Sequence, residues 1–218
     1  MGAKVKRNSC LACCQRFPGW TMQGFAGRRG VSGDYYDFFP IGEGKLALLL
    51  ADVSGKGMSA ALLGASLQSA VRSNASSFCG ETLAQANRLL VETTAADRYA
   101  AGFYAVYEPA MKKLTYSNGG HCPPMLIREG NCIRLDPLTP SVGMLSKLSP
   151  DERRIHMLPG DWLLRSRTEF RRQRRRRRRT ASFVCTLSGS GAKELCEAVV
   201  AHVRNHLREQ RQRYTGLT

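Results

Sequence analysis

The chain has 218 residues, enough for one large domain or two small ones, and its 43% hydrophobic and 23% charged content is that of an ordinary soluble globular protein. Its net charge of +16 is not ordinary, and it is local: residues 1–160 carry 18 Lys and Arg against 12 Asp and Glu (+6), whereas residues 161–218 carry 15 against 5 (+10). These bounds set aside a spanning membrane protein, because no run of about 18 apolar residues exists, and they confine any polyanion-binding reading to one segment.

Residues 1–30 are basic, carry cysteine and glycine and show no period, so they read as a poorly defined leader, and 31–218 as a single domain. Met1–Arg16 lacks the apolar core of a secretory signal. Lys6 stands where a myristoylation pattern needs Ser or Thr. The chain therefore reads as cytoplasmic. Cys10-x-x-Cys13-Cys14 begins like a zinc pattern, but no second ligand pair follows at usable spacing, and the eight cysteines read as reduced thiols.

From Val31 the pattern sharpens. "DYYDFFPIGEGKLALLLADV" reads as two strands around a turn at Gly42-Glu43-Gly44, and "KLALLLA" is a continuous apolar run suited to burial on both faces. "SGKG" breaks the run, and "MSAALLGASLQSAVRS" then reads as a helix rich in small residues. A second helix is expected over 81–94, with Leu83, Ala86, Leu89, Leu90 and Thr93 at helical spacing. Strands follow in "YAAGFYAVYE", "KKLTYSN", "PMLIRE" and "CIRLD", divided by turns at Pro109-Ala110, Gly119-Gly120 and Gly130-Asn131. "RRIHMLPGDWLL" reads as one more hairpin. After ten arginines between Arg165 and Arg179, "AKELCEAVVAHVRNHLREQ" is an amphipathic helix with Leu195, Val199, Val203 and Leu207 on one stripe. His202 and His206 on that helix have metal-ligand spacing but no carboxylate partner, and read as ordinary helix residues. Strands, two helices, more strands and a last helix make an α+β domain of antiparallel sheets flanked by helices.

The sharpest chemical feature is "SGDYYDFF" followed, 18 residues after its first Asp, by "ADVSGKG". Asp34 and Asp52 both sit at strand ends beside glycine-bearing turns. Two such carboxylates can converge on a hard divalent cation, with a backbone carbonyl as a further oxygen ligand. The same spacing also suits plain turn residues of a half-buried sheet, and residue spacing alone leaves both readings open. "SGKG" lacks the leading glycine and trailing Ser or Thr of a nucleotide-binding phosphate loop.

Seven blocks taken together, "VSGDYYDFF", "ALLLADVSGKGMSAALL", Asn87-x-Leu89-Leu90, "FYAVYEP", "LTYSNGGHCPPML", "SVGML" and "LPGDWLL", resemble the SpoIIE/RsbU-type serine phosphatases, which are PPM-type metal-dependent phosphatases. The resemblance runs in order over roughly residues 30–164. It implies an α-β-β-α sandwich, two Mn²⁺ or Mg²⁺ ions, and hydrolysis of phosphoserine or phosphothreonine on a regulatory protein, usually an anti-anti-sigma factor. It implies Asp52 as the metal-bridging acid, the Val53 carbonyl as a ligand to one metal, Asp34 as the first acid of the second metal, and Asp37 after it. Gly33, Gly55 and Gly57 fall in the turns around these acids. Asn118, Gly119, Gly120 and His121 match the family's "NAGH" turn, which reads as architectural, with His121 as a minor candidate for a general acid. Metal-bound water would be the nucleophile.

The resemblance also breaks. After "GDWLL" the family has a "YSDGxxEA" or "YTDGxxEA" block and near its end "DDxT", each supplying a metal Asp; this chain has "RSRTEFRRQ" and "RYTGLT". Two of four acidic ligands are missing, so activity of the chain as written is expected to be impaired. "SRTEFRRQR" can be encoded as TCT CGG ACG GAA TTT CGG AGG CAG AGG, and two bases on that string reads Ser-Asp-Gly-Ile-Ser-Glu-Ala-Glu, the missing block at its due position. The Arg-rich stretch within 165–185 is therefore read as an out-of-frame segment. Two other functions stay open: a pseudophosphatase that holds a regulatory partner without hydrolysing it, and an arginine-rich nucleic-acid tether, for which no aromatic residue interleaves the arginines.

Overall fold

A computed structural model describes residues 12–17, 20–25, 34–42, 44–55, 57–95, 97–129 and 131–164, together with the single helical position Ala198; for 12–17, 20–25 and 34 it describes the backbone alone. The strands are β1 (Ala12–Phe17), β2 (Trp20–Phe25), β3 (Asp34–Pro40), β4 (Leu46–Val53), β5 (Ala100–Glu108), β6 (Lys113–Gly119), β7 (Met125–Arg128), β8 (Asn131–Arg134), β9 (Arg153–His156) and β10 (Trp162–Leu164). Two helices, α1 (Gly57–Ser73) and α2 (Cys79–Thr93), lie between β4 and β5. All strand pairings are antiparallel, in a five-stranded sheet of order β3-β4-β5-β6-β9, a three-stranded sheet β10-β7-β8, and a separate pair β1-β2.

The layering follows from β4. Its run of Leu and Ala has no polar face, so it must be covered on both sides. Ala47, Leu49, Ala51 and Val53 join Leu63, Leu67, Val71, Leu83 and Leu90 in a core under the helices. Leu48 and Leu50 join Phe103, Ala105, Leu114, Tyr116, Leu126 and Leu135 in a second core between the two sheets. The period of two in the strand thus divides one apolar run between two interiors. α1 buries Ala60, Leu63, Gly64, Leu67, Ala70 and Val71 at helical spacing. This is the expected sandwich of antiparallel sheets flanked by helices; the helix expected over 192–210 falls outside the described residues except at Ala198.

Three expectations change. The leader contains an antiparallel strand pair, β1 and β2, in register from Ala12↔Phe25 to Phe17↔Trp20. α2 begins at Cys79 rather than Glu81, because the Ser76 hydroxyl accepts from Phe78 N–H (3.1 Å) and turns the chain earlier. The segment "RRIHMLPGDWLL" is not a hairpin: β9 pairs with β6 in the first sheet and β10 with β7 in the second. Asp161 makes that crossover. Its carboxylate accepts from Leu158 N–H (2.8 Å) and from Arg128 Nε and Nη2 (2.9 and 2.6 Å), with its side chain 1% exposed. Burial raises the Asp161 pKa, but the Arg128 guanidinium and the Leu158 amide outweigh it and hold the carboxyl below its ordinary range.

Candidate metal centre

β3 and β4 pair from Asp34↔Asp52 to Pro40↔Leu46. The two acidic positions are thus direct neighbours at one end of the sheet, and paired positions in an antiparallel ladder share a face. Asp52 has the parity of Leu48 and Leu50, so the pair lies on the face toward the second sheet. Of the eight residues of β4, Asp52 alone is exposed. A strand buried on both faces that opens to solvent at one carboxylate is unusual. An exposed carboxylate at that position is open to a ligand from solvent.

Val53 is buried in the helix-side core, and the chain then turns sharply. Ser54 N–H donates to Tyr99 O (2.9 Å) and Tyr99 N–H donates to the Ser54 hydroxyl (3.0 Å), extending the β4–β5 ladder past the sheet. Gly55 at φ +99° holds a backbone conformation that calls for glycine; the Arg98 guanidinium, 2.8 Å from where a Cβ would stand, is the end of a flexible side chain that can move aside. Gly57 at φ +67° starts α1.

The turn at 118–121 flanks the acids through β5. Asp52 pairs with Ala101, and the next residue, Gly102, bridges Gly120. Asn118 is fully buried; its Oδ1 accepts from His121 N–H (2.8 Å) and its Nδ2 donates to Leu135 O (2.8 Å) and His121 O (3.2 Å). His121 is 2% exposed and its Nδ1 lies 2.7 Å from Cys122 O. One side chain therefore closes the turn on itself and ties it to the chain leaving β8. The His121 ring nitrogen thus lies against the backbone of the next residue.

Asp37 does not join Asp34 and Asp52. It lies an odd number of residues from Asp34 and so occupies the opposite face, where it meets α1. Arg72 Nε and Nη2 donate to its two oxygens at 2.6 and 2.7 Å, and Gln68 Nε2 lies at 3.3 Å. A carboxylate held bidentate by arginine and 8% exposed is structural, not a metal donor at this edge. Gly33, the Asp34 side chain, His202, His206 and the arginine tract lie outside the described residues.

The contacts of two residues of this neighbourhood escape sequence reasoning, although Asn87 stands in one of the resembling blocks. Arg72 carries a faint signal, being the only charged residue in α1. Asn87, buried in α2, accepts from Gly143 N–H (2.8 Å) and donates to Leu145 O (3.0 Å), which holds the loop behind the 118–121 turn against the helices.

The donor chemistry fits a hard divalent ion: two carboxylate positions and a carbonyl, all oxygen. Counted over the described residues, the donors fall short of what a pair of ions needs. Among the described residues no group of three or more His, Cys, Asp or Glu could hold a metal. Nor is any described helix long and apolar enough to cross a membrane.

Two antiparallel sheets with a helical layer and acids at their strand ends define the class: this is the fold of the PP2C-type phosphatases. The PP2C phosphatase domain with a fragment of the regulatory domain of SpoIIE from Bacillus subtilis superposes with TM-score 0.65 at 13% identity, over 91% of this chain and 65% of that one. RsbX in complex with magnesium superposes with TM-score 0.60 at 14% identity, over 79% and 80%. The sequence carries the assignment further. The profile of the family described as Stage II sporulation protein E (SpoIIE) matches residues 42–213, most of the chain, and the chain belongs to that family. Protein IcfG of Synechocystis sp. is 28% identical over 228 residues, covering 84% of this chain and 35% of IcfG, so the chain spans about a third of that relative.

Proposed function

We propose that this phosphatase-family chain acts on phosphoserine or phosphothreonine of a regulatory protein of the anti-anti-sigma kind, with Asp34, Asp52 and the Val53 carbonyl as oxygen donors toward Mn²⁺ or Mg²⁺. The observation that carries the reading is the direct pairing of Asp34 with Asp52, beside the one solvent-open position of an otherwise buried strand. RsbX, of the same fold and crystallised in complex with magnesium, supports a hard divalent ion. When bound, such ions supply a water of lowered pKa for attack on phosphorus. The chain's own residues hold the acids in place: the Asn118 turn backs Gly102 and Ala101, and the Gly55 turn lets α1 begin immediately after the bridging position.

A second reading, a pseudophosphatase that binds such a partner without hydrolysing it, is favoured by one observation. β10 ends at Leu164, opposite Met125 and next to the 118–121 turn, and the chain continues as Arg165-Ser166-Arg167-Thr168-Glu169, with no aspartate. The two readings separate in one assay. Mn²⁺-dependent, chelator-sensitive hydrolysis of a phosphopeptide is measured for the chain as it stands and for a variant with Ser-Asp-Gly-Ile-Ser-Glu-Ala-Glu over 166–173. Activity in the repaired variant alone supports a phosphatase scaffold with an impaired site. Activity in both removes the impairment, and activity in neither leaves partner binding as the surviving role.

A further inference from the structure

β3 has an ambiguity that its own sequence creates. "DYYDFF" places aromatics at Tyr35, Tyr36, Phe38 and Phe39, two on each face of the strand. Tyr35 and Phe39 pack with the helix-side core, Tyr36 and Phe38 with the core between the sheets. A slip of one residue that set 34 opposite 53 would put Tyr36 in the place of Tyr35 and Phe39 in the place of Phe38, while Asp37 took the place of Tyr36 and Pro40 that of Phe39. Hydrophobic pattern normally specifies register because a slip turns apolar residues outward. Here two of the four aromatic places keep their residue type, which weakens that signal. β3 is also an edge strand, pairing within its sheet with β4 alone, so besides Asp37 its register is held from one end, by the turn that Ile41 N–H to Lys45 O (3.1 Å) and Lys45 N–H to Gly42 O (2.9 Å) close.

Asp37 breaks the degeneracy. In the observed register it meets α1, where Arg72 grips both oxygens at 2.6 and 2.7 Å and Gln68, one helical turn earlier, lies at 3.3 Å. The Arg72 guanidinium also stacks over the Phe39 ring, 4.5 Å from its centre. Residues 35, 37 and 39 of the strand thus meet residues 68 and 72 of the helix as one cluster. Burial and the adjacent Asp37 carboxylate push the Tyr35 phenol far above its ordinary pKa, so it stays a neutral neighbour. After a one-residue slip, Asp37 would instead enter the apolar core around Leu48, Leu50 and Phe103 with no cation to meet it. Fixing register is the best-attested use of a buried polar or ionic group, and here the buried member is Asp37, with Arg72 reaching it from the half-exposed side of α1.

We propose that the Asp37–Arg72 pair is a register lock, a positioning contact that keeps position 34 of β3 opposite Asp52 of β4. The lock rests on geometry alone; its consequence for metal binding rests on the reading of Asp34 and Asp52 given above.

The test reads register directly. Cysteines are introduced as Asp34→Cys with Asp52→Cys, or as Asp34→Cys with Val53→Cys for the slipped pairing, and oxidative cross-links are mapped by peptide mass spectrometry. With Asp37 and Arg72 intact, the 34–52 cross-link dominates. In the charge-free double variant Asp37→Asn with Arg72→Met, the ratio of 34–52 to 34–53 cross-links falls by about tenfold, the equivalent of one charge-assisted hydrogen bond. Asp37→Asn alone, which leaves an arginine already half in water, gives the same direction and serves if the double variant unfolds. An unchanged ratio in folded variants overturns the lock even if their melting temperature drops. Mn²⁺ binding by electron paramagnetic resonance on the native-cysteine chain separates the two ideas. No Mn²⁺ bound with a lock-dependent ratio sinks the metal reading alone; Mn²⁺ bound with a lock-independent ratio sinks the lock alone.

Discussion

Adjacent glycines in the 118–121 turn should respond to alanine in opposite ways. At Gly120 the backbone has φ +71°, and a Cβ would stand inside the contact distance of the Ser141 hydroxyl, 3.1 Å from Ser141 N and 3.3 Å from its Cα. Alanine in that left-handed conformation costs about 1–2 kcal/mol. The hydroxyl can rotate away, but the Ser141 backbone cannot, and moving a packed segment costs roughly 1–3 kcal/mol more. Gly120→Ala should therefore lose roughly 2–5 kcal/mol. At Gly119 the backbone is ordinary, and a Cβ would meet Gly102 O at 3.3 Å, Pro140 O at 3.4 Å and a Val142 methyl at 3.5 Å. Small shifts relieve those contacts, while alanine removes about 0.4–1 kcal/mol of unfolded-chain freedom. The family resemblance also places alanine at 119. Gly119→Ala should fall within about 0.5 kcal/mol of the parent. Urea unfolding followed by circular dichroism measures both through the midpoint at constant slope. A loss at Gly119 equal to or larger than that at Gly120 would refute the account of this turn.

Two further outcomes concern buried groups. Cys79 is buried, with its thiol pushed well up chiefly by desolvation, whereas Cys132 is exposed. Brief alkylation of the native protein should label Cys132 and spare Cys79 until denaturant is added, as read by mass spectrometry; early labelling of Cys79 would contradict the packing at the start of α2. The second concerns acid. Asp161 has a depressed folded pKa, so its contribution is complete above the ordinary carboxylate value of about 3.9 and disappears as pH falls through the folded value. Asp161→Asn should cost about 1–3 kcal/mol at pH 7 and show a shallower loss of stability on acidification below about pH 4. Parallel curves for parent and variant would deny Asp161 that role.

How much could be read in advance depended on whether the signal was local. "KLALLLA" announces a doubly covered strand by composition, and Gly42 and Gly44 mark the turn before it, so β3, β4 and α1 were legible. The meeting of Asp34 with Asp52 was legible only through resemblance, because 18 residues of separation do not state a register. Asp37 is the instructive case. Its odd separation from Asp34 already places it on the other face of any strand containing both, so the period of two argues against a shared metal. Its partner could not be named, since Arg72 reaches it only after α1 has packed on the sheet. The crossover at Asp161 was hidden for the same reason: the turn residues of a hairpin and of a change of sheet look alike until the strands choose neighbours.

β4 has one more consequence. Leu49 and Leu50 are consecutive in the chain yet belong to different interiors, so a single ribbon of backbone is the party wall of both. Neither room can be emptied without removing a side of the other. Softening the helices exposes the odd residues of that wall, and softening the second sheet exposes the even ones, whichever side yields first. The domain should therefore behave as one cooperative unit, in which damage at the far end of either layer is felt at the carboxylate where the wall meets water.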